Sequence, residues 1–247
     1  MTTKILCIAA VCALGITTSA KAQLINVDFN AAGPESPTMS GAAVLGNPGD
    51  TWNGIDGDQD GVYGTYIPLV DSNDNTIVGS KWSFTTGHGL YDDAGGTTTN
   101  PSALMEDYMY GGNGNEGGTI SGLVAGDTFT LVIYGAGDQS GQGDIMTLSG
   151  DMTGGNTAST LDTSAIDRDI TNGIGDAYNT FTGTIGASGE ITIVLNPNTT
   201  VDPNNTNSAL DGFQLSEVAA PEPSTYVLLG LGMVGLLVVN ARRRPIV

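Results

Sequence analysis

Asp56-Gly57-Asp58-Gln59-Asp60-Gly61 places carboxylates at positions 1, 3 and 5 and glycine at position 6, the first half of a helix-flanked calcium loop. Calcium accepts oxygen ligands in irregular geometry, so carboxylates at alternate positions can contact one ion. Position 12 is Ile67, where such a loop needs a bidentate Glu, and no helical pattern flanks the stretch. Two readings stand: a calcium site on Asp56, Asp58 and Asp60 within a β-sandwich loop, or a solvated acidic turn. Asp71, Asn73 and Asn75 offer a poorer second set.

The other candidate constellations carry less. Gly112-Asn113-Gly114-Asn115-Glu116-Gly117 spells GxGxxG, but it leads into a strand pattern at Thr119 rather than a helix start, which predicts a loop and no dinucleotide site. His88 is the lone histidine, held in Gly87-His88-Gly89 with no G-x-S-x-G elbow, so it reads as a surface residue. Carboxylate pairs for glycoside hydrolysis can be drawn from Asp92, Asp93, Glu106 or Asp107. In so acidic a chain such a pair discriminates little. Both cysteines, Cys7 and Cys12, fall in the N-terminal leader, so residues 23–247 hold no thiol for a disulfide, a nucleophile or a metal site.

These residues sit between two apolar termini. Lys4 is a positive n-region, Ile5 to Ile16 an apolar h-region, and Ala20-Lys21-Ala22 an A-x-A cleavage site before Gln23. Twelve residues are too few to span a bilayer, which predicts a cleaved signal handled by the Sec machinery. At the other end Pro221-Glu222-Pro223 breaks regular structure, an apolar run follows from Tyr226 to Ala241, and Arg242-Arg243-Arg244 closes it. Sixteen helical residues extend roughly 24 Å, short of a hydrocarbon core of about 30 Å. Snorkelling arginines and local thinning absorb that deficit, and the arginines keep the C-terminus cytoplasmic.

The order Pro-Glu-Pro, short apolar helix, basic end resembles the PEP-CTERM sorting tail of Gram-negative bacteria. The resemblance implies recognition of the tail by an exosortase at the inner membrane, its removal, and delivery to the cell surface or extracellular polysaccharide matrix. An ordinary single-span anchor with a proline hinge is the alternative.

Between the termini, residues 23–220 hold 25 acidic and two basic side chains, a net charge of −23, and glycine fills 33 of the 198 positions. That charge repels nucleic acid and anionic membranes, so nucleic-acid binding is excluded. Glycine, Thr, Ser, Asn and Asp favour turns and strands over long helices. Leu24–Phe29 alternates, with Ile25, Val27 and Phe29 on one face of a half-buried strand. Further strands are expected at Tyr63–Val70, Lys81–Thr85, Ile145–Leu148, Phe181–Ile185, Glu190–Leu195 and Ala209–Leu215. Thr119–Leu123 and Thr128–Tyr134, joined through Gly126-Asp127, read as an adjacent pair. Pro101-Ser102 predicts a helix start, with one or two turns over Ala103–Tyr110 and Leu104 and Tyr108 facing inward. Trp52 reads as a core aromatic.

The sum is an all-β chain: a signal peptide at 1–22, a jelly-roll-like β-sandwich at 23–220 and a sorting tail at 221–247. The opening Ile25-Asn26-Val27-Asp28-Phe29 and closing Ala209-Leu210-Asp211-Gly212-Phe213-Gln214-Leu215 resemble the first and last strands of galactose-binding-like and malectin-like domains. That resemblance implies terminal strands lying side by side, loops that hold sugar or calcium, and no catalytic residues. Two functions fit. One is a non-enzymatic surface or matrix protein gripping exopolysaccharide through Trp52, Trp82, Tyr91 or Tyr134; the other is a secreted glycan hydrolase.

Overall fold

The computed structural model describes residues 23–30, 38–56, 66–85, 89–92, 103–110, 116–135, 137, 143–155, 157–159, 173–200, 203, 207–220, 230–233 and 235. The chain divides into two units, Ala22–Val218 on one hand and Met1–Lys21 with Ala219–Val247 on the other. In the second unit residues 230–233 and 235 are helical, and no helix among the described residues is long and apolar enough to cross a membrane. The rest of the predicted span at 226–241, the motif Pro221-Glu222-Pro223, the arginines 242–244 and the leader with Ala20 and Ala22 lie outside the described residues.

The body is built from strands β1 (Gln23–Asn30), β2 (Asn53–Asp56), β3 (Tyr66–Val70), β4 (Thr76–Phe84), β5 (Gly89–Asp92), β6 (Asp107–Tyr110), β7 (Glu116–Ser121) and β8 (Thr128–Tyr134). It continues with β9 (Asp144–Ser149), β10 (Met152–Thr153), β11 (Thr157–Ser159), β12 (Tyr178–Ile185), β13 (Glu190–Pro197), β14 (Ala209–Leu210) and β15 (Gly212–Val218). The first sheet has the order β10-β12-β8-β15-β1-β2, the second β11-β9-β13-β7-β4-β3, and a small third sheet β14-β6-β5. Pairing is antiparallel except for β1 with β2. β1 and β15 lie side by side from Gln23↔Glu217 to Asp28↔Gly212, the arrangement the jelly-roll resemblance implies.

Alternation along the strands explains the packing. Ile25, Val27, Phe29, Phe129, Leu131, Phe181, Phe213 and Leu215 point inward from the first sheet, and Trp82, Phe84, Ile120, Ile191, Ile193, Leu195 and Met146 from the second. They form one apolar layer between the sheets. At its centre the Trp82 ring lies 5.3 Å from both Phe29 and Phe213, and meets Phe84 edge-on at 5.7 Å. Removing the buried Trp82 side chain would cost about 3–5 kcal/mol.

A second cluster lies on the opposite face of the first sheet. Val132 and Tyr134 of β8 pack there with Trp52, Leu104, Met105 and Ala177, and with the half-buried Met39, Ala43 and Leu45. The segment 38–52 thus covers the middle of that sheet. Leu131, Val132, Ile133 and Tyr134 are therefore all buried, the continuous apolar run of a strand enclosed on both faces.

Three expectations need correction. The Gly126-Asp127 turn does not join neighbouring strands: β7 belongs to the second sheet and β8 to the first. Gly122 and Gly126 both have positive φ, and the chain turns the corner between layers there instead of closing a hairpin. Ala103–Tyr110 is not a helix of one or two turns: a single 3-10 turn spans Ala103–Met105, and Asp107–Tyr110 is strand β6. Pairing with β5 on one side and β14 on the other satisfies its backbone, which local helix propensity could not match. Leu104 and Tyr108 are nonetheless both buried. Finally, β1 is not half-buried, since Asn26 and Asp28 on its second face are as enclosed as Val27.

Candidate functional site

The body gathers carboxyl groups where β1, β6, β7, β9 and the β14–β15 junction meet. Asp28 closes the β1–β15 ladder opposite Gly212, and Phe29 N donates to Asp211 O at 2.9 Å. Asp211 N donates to Tyr134 O at 3.1 Å, which fixes Asp211 between β14 and β15. Asp144 opens β9 opposite Pro197, and its carboxylate accepts Ala209 N at 3.1 and 3.2 Å. Glu116 opens β7 opposite Leu195. Asp28, Glu116 and Asp144 are each 1% exposed and Asp211 is 0% exposed.

Burial is the largest influence on the protonation of Asp28, Glu116 and Asp144. Burial holds the Asp28 carboxyl well above the usual range despite the bond from Met39 N at 2.6 Å, and Asp107, Asp211 and Glu106 push it the same way. Asp144 is raised likewise by burial, against the bond from Ala209 N, with Asp211 and Glu116 adding to the rise. Burial pushes Glu116 up to about 8, opposed by Gly117 N. Glu217, at a different place beside Asp127, is pushed by burial to about 7. The one basic side chain among the described residues, Lys81, lies elsewhere, its Nζ 3.5 Å from the Tyr66 ring centroid. Burial thus favours the protonated forms of Asp28, Glu116 and Asp144. Asp28 Oδ1 and Glu116 Oε2 are buried and accept no hydrogen bond.

Chemically this cluster is sealed. A polymer cannot reach carboxyls with about 1% exposure, so the group cannot serve as an acid–base pair on a glycan as it stands. Among the described residues no three Asp, Glu or His side chains are grouped closely enough to hold a metal ion.

The sequence-derived candidates fare unevenly. Asp56 ends β2 and is half-buried, while Asp58 and Asp60 lie outside the described residues, as do His88, Asp93, Pro101-Ser102 and residues 112–115 of the GxGxxG stretch. Glu116 and Gly117 of that stretch begin β7 and are not loop. Asp71 is committed to a turn: its Oδ1 accepts Asn73 N and Asn75 N, both at 2.9 Å, closing the β3–β4 hairpin. Of the four aromatics expected to touch a glycan, Trp52, Trp82 and Tyr134 are buried. Trp52 Nε1 donates to Gly41 O at 2.8 Å, and Tyr134 is sealed under segment 38–52. Tyr91 is half-buried and stacks on Tyr108 at 5.0 Å. Gln23 starts β1 opposite Glu217.

The buried acids were overlooked in the sequence, although it carried a signal: Asp28, Asp144 and Asp211 each sit inside or against an apolar strand frame, where a solvated carboxylate does not belong. Also overlooked was the exposed Tyr66, 61% accessible on the edge strand β3.

Residues 219–244 match the PEP-CTERM protein-sorting motif. No curated protein matches the chain. Among solved structures, plant receptor-like kinase ANX2 is similar at 12% identity with a TM-score of 0.44, over 81% of this chain and 49% of that one. The ANXUR1 extracellular domain from Arabidopsis thaliana is similar at 16% identity and TM-score 0.43, over 82% and 52%. TmCBM61 in complex with beta-1,4-galactotriose follows at 10% identity and TM-score 0.26, over 56% and 83%. The chain spans about half the length of the first two. The tail thus carries the sorting motif of an exported protein destined for the cell envelope or surface and processed by an exosortase-type enzyme.

Proposed function

We propose, from a chain that ends in a PEP-CTERM sorting motif, a non-enzymatic protein of the surface or extracellular matrix of a Gram-negative bacterium whose β-sandwich binds exopolysaccharide. The match over residues 219–244 is the observation that carries the export in this reading. Export begins through the Sec machinery and the signal at 1–22, cleaved between Ala22 and Gln23. The chain is then held in the inner membrane by the helix at 226–241, with Arg242, Arg243 and Arg244 on the cytoplasmic side. An exosortase recognises Pro221-Glu222-Pro223 and releases the body outside.

Two features support binding over hydrolysis. The carboxyls of Asp28, Glu116, Asp144 and Asp211 are too deeply buried for a polymer to reach. The lone histidine is flanked in sequence by Gly87 and Gly89, with no nucleophile elbow in the sequence.

The test is fractionation of the full chain in a host with and without an exosortase. The expected result is a shortened form at the surface or in the medium only when the exosortase is present. Replacing Pro221-Glu222-Pro223 by three alanines should leave the chain in the membrane fraction with its tail attached. Recovery of the full-length chain from the cytosol, with Met1 intact and no detergent, would overturn the reading.

A further inference from the structure

We propose that the outward face of the second sheet is a docking surface for a neutral polysaccharide chain, centred on the cross-strand row Tyr66–Ser83–Thr119–Thr192–Ser149. This rests on the glycan-binding reading above and gives it a place on the molecule.

The row follows from register alone. Tyr66 pairs with Ser83, Ser83 with Thr119, Thr119 with Thr192, and Thr192 with Ser149, across β3, β4, β7, β13 and β9. Their neighbours Trp82, Ile120, Ile191, Ile193 and Leu148 point into the core, so these five point away from it. At about 4.8 Å between strands the row is about 19 Å long. Ser83, Thr119 and Thr192 are half-buried and Ser149 and Tyr66 exposed, whereas the middle of the first sheet's outer face is covered by segment 38–52. Thr119 and Thr192 hydroxyls lie 2.9 Å apart, holding each other in place.

Charge selects the occupant. On a body of net −23, the outward ionic side chains of these strands are Lys81 and Glu190, which cancel. A polyanionic glycan would be repelled by the molecule as a whole, while a neutral one meets a locally neutral face. A pyranose presents hydroxyls around its rim and a C–H face. Serine and threonine hydroxyls each donate and accept, so they match that rim in either orientation. Tyr66, 61% exposed at the end of the row, has the Lys81 ammonium over one face of its ring, so the opposite face is the one that would meet a sugar's C–H face. Branched threonines on strands have little rotamer freedom to lose when a ligand binds.

The experiment is affinity electrophoresis of the full chain, in a detergent without sugar head-groups, through gels containing dextran, galactan or mannan, with alginate as the anionic polymer. At least one neutral polymer should retard the chain. Tyr66→Ala and Thr192→Val should each weaken that retardation about tenfold or more, and Thr182→Val on the first sheet should not. Tyr66 is exposed, and valine matches threonine in shape and gives up only the part-buried bond to Thr119, so both variants should stay folded and melt close to the wild type; a variant that does not is replaced by Ser149→Ala, expected to weaken retardation as well. If wild type is retarded but the second-sheet variants bind equally, or only Thr182→Val weakens binding, the site lies elsewhere and only this inference falls. Retardation by alginate alone overturns the neutral ligand. No retardation by any polymer removes the glycan-binding reading itself. A loss of dimer mass in Tyr66→Ala by sedimentation would mark the face as a self-interface and overturn the inference.

Discussion

Tyr134 and Gln214, 80 residues apart in sequence, are joined by a buried hydrogen bond of 2.7 Å from the phenol to Gln214 Oε1. The same oxygen accepts Leu45 N at 2.8 Å, and Gln214 Nε2 donates to Asn26 Oδ1 at 2.9 Å and Leu45 O at 3.1 Å. Val44 N donates to the Tyr134 oxygen at 3.1 Å. β1, β8, β15 and the segment 38–52 are thus tied by one polar knot under an apolar cover, where an unmet partner cannot turn to water.

Gln214→Leu should therefore lower stability by about 2–4 kcal/mol, because four hydrogen bonds are lost and buried partners stay behind unmet. Tyr134→Phe keeps the ring and removes only the hydroxyl, so about 1–2 kcal/mol is expected. Urea denaturation of the two variants checks the order. Equal stability of Gln214→Leu and wild type would show that the knot does not hold segment 38–52 down.

Gly122 should resist any side chain. Its φ is 78°, and a Cβ there would collide with the Gly79 carbonyl of the neighbouring β4, a backbone group that cannot swing away. We expect Gly122→Ala to cost about 2–4 kcal/mol from combined backbone strain and displacement of β4. Gly126 also has positive φ (91°) but faces open space, so Gly126→Ala should cost only about 1 kcal/mol. Thermal melts that rank the two the other way would contradict the corner geometry.

Stability should fall as pH rises through neutrality. Glu116 titrates at about 8 in the folded chain against 4.5 as the ordinary value, so between those limits the native state holds a proton that the unfolded state has released. Its stabilising contribution is complete below about pH 4.5, declines above it, and is gone above about pH 8. Asp28 and Asp144 are raised by the same cause and act in the same direction. Glu116→Gln keeps the shape of the protonated group and should flatten the decline, raising stability at pH 8 relative to wild type by on the order of 3 kcal/mol. A decline equally steep in the variant would place the titrating group elsewhere.

Calcium at Asp56, Asp58 and Asp60 is decided by chelation. A bound ion stabilises the folded chain in proportion to the logarithm of its free concentration, so EDTA should lower the melting temperature and Asp58→Asn should remove that response. A melting temperature unmoved by EDTA in wild type withdraws calcium from these residues.

Much of the body could be read from alternation. Ile25, Val27 and Phe29, or Trp82 and Phe84, repeat with period two, and a period-two apolar pattern has one physical solution, a strand facing a core. Which strands pair could not be read so easily. Thr119–Ser121 and Thr128–Tyr134 are near neighbours in sequence yet lie in different sheets, because hydrogen-bond partners are chosen among all strands at once and a glycine corner is not distinguished locally from a hairpin turn. The fate of each aromatic was equally non-local. Trp52, at the end of segment 38–52, is buried against β8, Tyr134 lies under that segment, and Tyr66 is left bare on an edge, and nothing in the flanking residues encodes that difference.

Sequence alone determined where this chain is sent, because sorting signals are short, contiguous and read by machinery before or apart from folding: Pro221-Glu222-Pro223, the apolar run and the three arginines act by their order. It also determined the all-β class, through composition and alternation. Only the tertiary structure decided that Asp28, Glu116, Asp144 and Asp211, spread over 184 positions of sequence, share one buried place, where burial raises the pKa of Asp28, Glu116 and Asp144. Only register across five strands lines Tyr66 up with Ser149. Burial and register are sums over distant contacts, and no local window of sequence contains them.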